Sequence, residues 1–335
     1  MEDPMATLKD VAKLANVDVS TVSRALNNSG YVHPQTKKRI MAAVEELSYK
    51  PNLLVKGVKK GKRKIICVII PSLFLSMFGE LVQLIEEKAR DYEYEIVIIN
   101  TNDNPDVEEA SLKKIRDSYT DGLLIVSTGQ NKRLIKDINS SDLPVVQLVR
   151  NQTDLLSSVD VNYFNCAHES VHFLHNCGCE RIALINGIME IRPFSERYRG
   201  YLKATSELIM DDLSISNNFY NMDFYKTGYD KFNELIKKYK NIDGVLTAND
   251  LQAMGTLRAA KDMGYLIPND LKILSLAGNS MGELLETKIS SMEMPLELIA
   301  HKSLELLINK INSKSNYSQV EHVTFNTTLN IRETT

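Results

Sequence analysis

Cysteine is scarce in this chain, four in 335 residues. With no secretory signal expected ahead of the charged N-terminus, that scarcity points to a reducing cytoplasm. Long apolar runs are missing too. None approaches the ~20 residues needed to span a bilayer, so no membrane partner is expected. There is no G-x-x-x-x-G-K phosphate loop, which removes one large class of enzyme. Low-complexity tracts and solenoid repeats are absent. No leucine heptad follows Asn330-Ile-Arg-Glu, so a dimer is expected rather than a tetramer assembled through a tail.

The charge is uneven. Residues 1–64 carry 13 Lys and Arg against 6 Asp and Glu, a net of +7, whereas residues 65–335 carry 27 against 37, a net of −10. A formal charge of −3 for the whole chain hides this. A basic module attached to an acidic body is the asymmetry expected when one end meets phosphates.

Within the basic module, the stretch from Thr7 to Arg24 reads as two short helices joined by a tight turn. Thr7 is placed to cap the first helix, with Asp10 as its partner three residues on. Leu8, Val11, Ala12 and Ala15 share one helical face. Asn16 stands at the turn, where its tolerance of the left-handed region is useful, and Asp18 can cap the second helix. Val22, Ala25 and Leu26 turn inward, which leaves Ser20, Thr21, Ser23 and Arg24 outward. Hydroxyls and one guanidinium near a helix start suit reading of base edges in a major groove. Pro34 opens a third helix whose Ile40, Val44 and Leu47 repeat at helical spacing, and Pro51 ends it.

Leu8-Lys-Asp-Val-Ala, Thr21-Val-Ser-Arg24, Leu26-Asn27-Asn28 and Tyr49-Lys-Pro-Asn52 together resemble the lactose-repressor (LacI/GalR) family of bacterial transcription regulators. The resemblance implies that Val19, Ser20 and Thr21 read bases and that Ser23 and Arg24 support them. Thr7, Leu8, Asn28, Tyr49, Asn52, Lys56 and Val58 complete the implied DNA contacts. In the family a hinge helix follows and wedges a Leu into the minor groove. Here Val58 occupies that position, beside Gly57, and both are poor helix formers. A plain basic linker from Lys56 to Lys64 is the alternative.

Beyond Lys64, apolar runs alternate with helix patterns. Ile65–Ile70, Ile96–Ile99, Gly122–Val126 and Pro144–Leu148 form a first series of strands. Ile182–Ile185, Gly244–Thr247 and Lys272–Leu276 form a second. Apolar strands separated by helices mean parallel sheets covered on both faces. The expected class is α/β: an all-α helix-turn-helix headpiece (residues 1–52), a hinge (53–63), and a core (64–335) of two doubly wound parallel-sheet subdomains. The core resembles the periplasmic-binding-protein-like body of the same family. That likeness implies three chain crossings, near residues 161, 291 and 325. The N-subdomain then takes about 64–160 and 292–324, and the C-subdomain about 161–291 and 325–335.

Ligands on such sheets bind beyond the carboxyl ends of the strands, in the cleft between subdomains. By resemblance Arg197 and Asp250 sit there, a five-donor cation and an acceptor-only carboxylate. Phe74, Met77 and Phe78 follow the first strand and are read as an apolar wall, against the plainer reading as core. The run Ser275-Leu-Ala-Gly-Asn279 departs from the family pattern, since Ala277 and Gly278 stand where acceptors are usual. Asn162 replaces a common Asp. A simple neutral sugar is therefore not expected to bind tightly.

His168-Glu169-Ser-Val-His172 matches the zinc-protease pattern, with His175, Cys177 and Cys179 nearby. Yet the histidines lie one residue after the buried stripe Ala167, Val171 and Leu174, hence on its flank. A solvated flank is the preferred reading, with no catalytic residue, metal or cofactor. A zinc-dependent hydrolase using His168, Glu169 and His172 is one alternative, and adventitious or regulatory metal binding without catalysis is another. The expectation is a cytoplasmic repressor, not an enzyme, acting as a homodimer on near-palindromic double-stranded operator DNA under control of a small-molecule effector or a protein co-regulator.

Overall fold

The computed structural model describes residues 6–27, 30–47, 49, 63–116, 120–140, 143–217, 223–313 and 319–335. Asn28, Asn52, Lys56, Val58 and nearly all of the hinge lie outside these residues. The chain divides after Arg63 into two compact units.

The first unit holds α1 (Leu8–Leu14), α2 (Val19–Asn27) and α3 (Pro34–Glu46). Thr7 and Asp10 form a reciprocal capping box: the Thr7 amide donates to Asp10 Oδ2 at 2.8 Å, and the Asp10 amide donates to Thr7 Oγ1 at 3.4 Å. These bonds hold the Asp10 carboxyl below the usual carboxylate range. Asn16 adopts φ 50° and makes the turn. Asp18 starts α2 through its backbone carbonyl, which accepts from the Thr21 and Val22 amides. Val11, Ala12, Ala15, Val22, Ala25, Ile40 and Ala43 are the buried core of this unit, with Leu8, Leu47 and Tyr49 packed on its margin.

The second unit has two lobes. The first lobe is built on β1 (Ile65–Ile70), β2 (Glu95–Asn100), β3 (Gly122–Ile125), β4 (Val145–Leu148), β5 (Ser158–Val161) and β11 (His322–Phe325). They form one parallel sheet in the order β11-β5-β4-β3-β1-β2. Between them run α4 (Ser76–Asp91), α5 (Pro105–Arg116) and α6 (Lys132–Ser140). The second lobe is built on β6 (Ile182–Asn186), β7 (Ser214–Ser216), β8 (Gly244–Thr247), β9 (Lys272–Gly278), β10 (Ser290–Glu293) and β12 (Thr328–Asn330). Its order is β12-β10-β9-β8-β6-β7, with only β12 antiparallel to its neighbour. Its helices are α7 (Tyr163–Asn176), α8 (Arg192–Glu207), α9 (Phe224–Lys238) and α10 (Asp250–Asp262).

The chain leaves the first sheet after Val161. It returns after Glu293 into α11 (Leu296–Asn312), which packs on the first sheet through Leu296, Ile299, Leu304 and Leu307. It crosses a third time between Phe325 and Thr328. Strands β3, β4 and β8 are buried along their whole length. Helices cover both of their faces, so each apolar side chain contributes about 1.5–3 kcal/mol by leaving water.

Helices in the second lobe meet backbone to backbone. A Cβ on Gly200 of α8 would lie 2.1 Å from the Phe164 carbonyl oxygen of α7. Gly228 of α9 and Gly255 of α10 are equally tight, 2.1 Å from the Gln252 oxygen and 2.0 Å from the Tyr225 oxygen. Each pair is therefore locked in one register, because any side chain at these positions would push the helices apart.

Candidate functional site

Two surfaces carry chemistry, one on each unit. On the headpiece, the buried side of α2 is Val22 and Ala25, while Val19, Ser20 and Arg24 are exposed and Thr21 and Ser23 half-buried. The Arg24 Nε donates to the Ser20 carbonyl at 3.3 Å, so the guanidinium lies along the same exposed face as the hydroxyls. Lys37 and Lys38 are exposed at the start of α3. Leu8 and Tyr49 stand differently from the rest. Both are half-buried on the helical core, so their apolar parts serve packing.

On the core, a cleft of about 610 Å³, counting the part open to solvent, lies between the lobes. Met77 and Phe78 line it from α4, Arg197 from α8, and Asp250 from the first turn of α10. Phe74 does not line it; three-quarters of its surface is exposed on the loop before α4. Phe78 also belongs to the core of the first lobe. Three residues not singled out in the sequence join the lining: Arg150, Tyr163 and Phe194. Arg150 follows the carboxyl end of β4, the place where a parallel sheet presents ligand groups, and that position was the available signal.

Arg197 is almost fully buried. Its Nη1 donates to the Ala248 carbonyl and its Nη2 to the Leu276 carbonyl, each at 3.2 Å. The guanidinium carbon lies 4.8 Å from the Tyr163 ring centre and 5.8 Å from that of Phe194. Among the described residues no carboxylate pairs with it, and its Nε has no partner. Burial lowers its pKa.

Asn249 caps α10 by accepting from the Gln252 amide at 3.0 Å, which sets Asp250 at the first helical position. Asp250 Oδ2 accepts from the Asn279 amide at 3.3 Å, while Oδ1 has no hydrogen-bond partner among the described residues. Ser275 lies near enough to ease the charge without completing a bond. Burial dominates and pushes the carboxyl up to about 6.

The end of β9 and the residue after it explain the missing acceptors. Ala277 lines the cleft and has no polar side-chain atom to offer. At Gly278 a Cβ would lie 2.2 Å from Ser291 Oγ, so this position holds no side chain without a shift. Asn279 spans the lobes instead: its Oδ1 accepts from Ser76 Oγ at 3.1 Å and its Nδ2 donates to Glu80 Oε2 at 2.9 Å. Ser280 Oγ adds a bond to the same Glu80 oxygen at 3.1 Å. Asn162 caps α7, accepting from the Asn165 amide at 3.1 Å, and lies outside this cleft.

The histidine motif resolves into a different set of residues. His168 and His172 both face Glu207, while Glu169 is exposed outside the group. His175 Nδ1 instead bonds the Cys179 carbonyl at 3.1 Å, and buried Cys179 donates its thiol to the Asp243 carbonyl.

Comparison with known proteins agrees with this geometry. Residues 7–52 match the bacterial regulatory proteins of the lacI family, and residues 63–331 match the periplasmic binding proteins and sugar binding domain of the LacI family. The chain is 29% identical over 310 residues to the ribose operon repressor of Halalkalibacterium halodurans, covering 92% of each. It is 28% identical over 314 residues to catabolite control protein A of Priestia megaterium, covering 92% of this chain and 93% of that one. The lac repressor dimer bound to operator and the anti-inducer ONPF superposes with a TM-score of 0.83 at 19% identity, over 99% of both chains. The chain belongs to the LacI family and is a DNA-binding transcription regulator. Its relatives regulate transcription and are not enzymes, which sets the hydrolase alternative aside. Among the described residues no helix is long and apolar enough to cross a membrane.

Proposed function

We propose that the protein is a cytoplasmic repressor that binds a near-palindromic operator as a homodimer and is controlled by a small acidic ligand in the cleft. One observation carries the effector part: among the described residues buried Arg197 has no carboxylate partner, and it lines the same cleft as an Asp250 oxygen that lacks a hydrogen-bond partner. An acidic group would meet the free Arg197 donor, and a hydroxyl of the same ligand would donate to Asp250 Oδ1. A neutral sugar can also accept from the Arg197 donor through a hydroxyl oxygen, but without the charge that about doubles the strength of the bond.

Support for a dimer comes from the edge of the first sheet. Strand β2 exposes Val97 and Ile98 at 46% and 43% along an unpaired edge. Edges of this kind invite a second chain. Two headpieces on a two-fold assembly would read two half-sites. Ligand binding between the lobes would change their angle, and through the dimer the spacing of the headpieces. Val19, Ser20 and Thr21 read bases in this scheme, with Ser23 and Arg24 beside them and Lys37 or Lys38 on phosphates.

The test selects an operator from random DNA with the full chain and then measures binding against sugars, sugar phosphates and other anions. Ser20→Ala is expected to alter preference at one base step by ~1–3 kcal/mol. Arg197→Ala is expected to keep DNA binding and lose the response to anions. Uniform weakening by Ser20→Ala overturns the assignment of the reading helix. Equal response of Arg197→Ala and the wild type overturns the effector site. A response to no small molecule at all leaves a protein co-regulator in control.

A further inference from the structure

Helices α7 and α8 run side by side along a seam that starts at the cleft, where Arg197 lies over the Tyr163 ring. The seam tightens where Gly200 meets the Phe164 carbonyl. It ends at three polar side chains. His168 Nε2 and His172 Nε2 lie 2.8 and 3.1 Å from one and the same oxygen, Oε2 of Glu207. The imidazole ring centres are 4.6 Å apart. The nearest ligand atoms of the three residues all lie within 4.8 Å of one another. Glu207 Oε1 is engaged separately by Lys203 Nζ at 3.1 Å, which leaves Oε2 to the histidines.

Backbone contact, not these polar groups, fixes the register of the two helices. The three side chains are therefore presented by a rigid frame, and their convergence is not needed to hold it. Two imidazoles and one carboxylate are a zinc-type donor set, with three protein ligands and one open position. Bonds of 2.0–2.2 Å in a tetrahedron place donor atoms roughly 3.3–3.5 Å apart. Small side-chain rotations reach that spacing from the present one. The side chains are about one-third exposed, so an ion can enter from solvent.

We propose that His168, His172 and Glu207 form a binding site for a divalent transition-metal ion of the zinc class, with water in the fourth position. The ion occupies the position between Glu207 Oε2 and the two Nε2 atoms, and each imidazole binds it as the neutral tautomer that carries its proton on Nδ1. Glu169, the base of the motif as read from sequence, has no part in it. The expectation that this helix flank holds no metal came from α7 alone. The third ligand comes from α8, 35 residues after His172.

The test uses the full chain, stripped with a chelator and titrated with Zn²⁺ by calorimetry, with Co²⁺ absorption as a second readout. One saturating site per chain is expected, along with the visible bands of tetrahedral Co²⁺. Glu207→Gln keeps the shape and a hydrogen-bonding oxygen, and is expected to weaken binding at least tenfold. His172→Gln is expected to do the same. Cys177→Ser is expected to leave binding unchanged, and Mg²⁺ to give no saturating heat. Absence of a saturating site overturns the proposal. So does unchanged affinity in the Glu207 and His172 variants, or loss of binding in Cys177→Ser.

Discussion

In the first lobe of the core Arg150 is buried against Asp103, with Nη1 and Nη2 donating to the two carboxylate oxygens at 2.6 and 2.9 Å. Glu108, buried in the same lobe, accepts from Ser127, Thr128 and Asn131. In the second lobe Arg197 and Asp250 are buried as deeply, yet among the described residues each keeps an atom without a hydrogen-bond partner. Both lobes are six-stranded sheets with corresponding strand order. The same architecture therefore carries a charge pair that is complete in one half and two charges that are not complete in the other. Completed pairs hold a structure together. Incomplete ones cost stability, and on the function proposed above a ligand supplies what is missing.

The contrast can be broken most sharply at Asp103. Asp103→Ala strands a buried guanidinium and is expected to cost about 3–5 kcal/mol in urea unfolding. Arg197→Met strands no carboxylate, and its stability is expected to equal or exceed the wild type. Equal losses in the two variants would erase the distinction between the lobes.

A smaller effect lies in the pH dependence of Asp250. Its folded pKa, about 6, stands above the ordinary 3.8. The folded state then holds the proton more tightly than the unfolded chain does. Stability conferred by that proton is complete below 3.8 and is lost as pH rises through about 6. The loss at neutral pH is on the order of 3 kcal/mol. Asp250→Asn is expected to flatten this part of the stability curve and to be the more stable protein at pH 7. An unchanged slope would mean that the carboxylate is already satisfied.

The smallest effect is at the bonds that join the lobes. Ser76→Ala removes the donor to Asn279 and is expected to cost no more than about 1 kcal/mol. It is also expected to speed hydrogen exchange at the Met281 amide, which Asn279 Oδ1 also accepts from. No change in exchange would show that the Ser76 bond is not what holds Asn279 in place, leaving that to Glu80.

Much of this was legible in the sequence. The Thr7 and Asp10 cap and the Asn16 turn follow from local chemistry, and the apolar strands follow from their burial on two faces. Strands β5 and β10 were not legible, because Ser158-Val-Asp-Val161 and Ser290-Ser-Met-Glu293 carry polar groups. Those groups are buried but satisfied from segments far along the chain. Ser158 Oγ bonds His322 Nδ1 at 2.9 Å, Asp160 accepts from Thr324 at 2.8 Å, and Ser290 Oγ accepts from the Arg332 amide at 2.8 Å. In the cleft, Arg197 and Asp250 were marked by motifs, whereas Tyr163 and Phe194 were hidden as ordinary core aromatics. Phe74 was misplaced because a loop residue next to a strand end need not turn inward. Glu207 was out of reach for a different reason: only the packing of α7 on α8 brings it to the histidines.

That packing also constrains how the chain can change over generations. Every single-base change in a glycine codon that alters the residue brings in a side chain or a stop. At Gly200, Gly228 and Gly255 any such side chain begins in the space of a neighbouring carbonyl oxygen. These codons have no amino-acid neighbour that leaves the helices where they are. The frame behind the cleft is thereby closed to single-step change at these three positions.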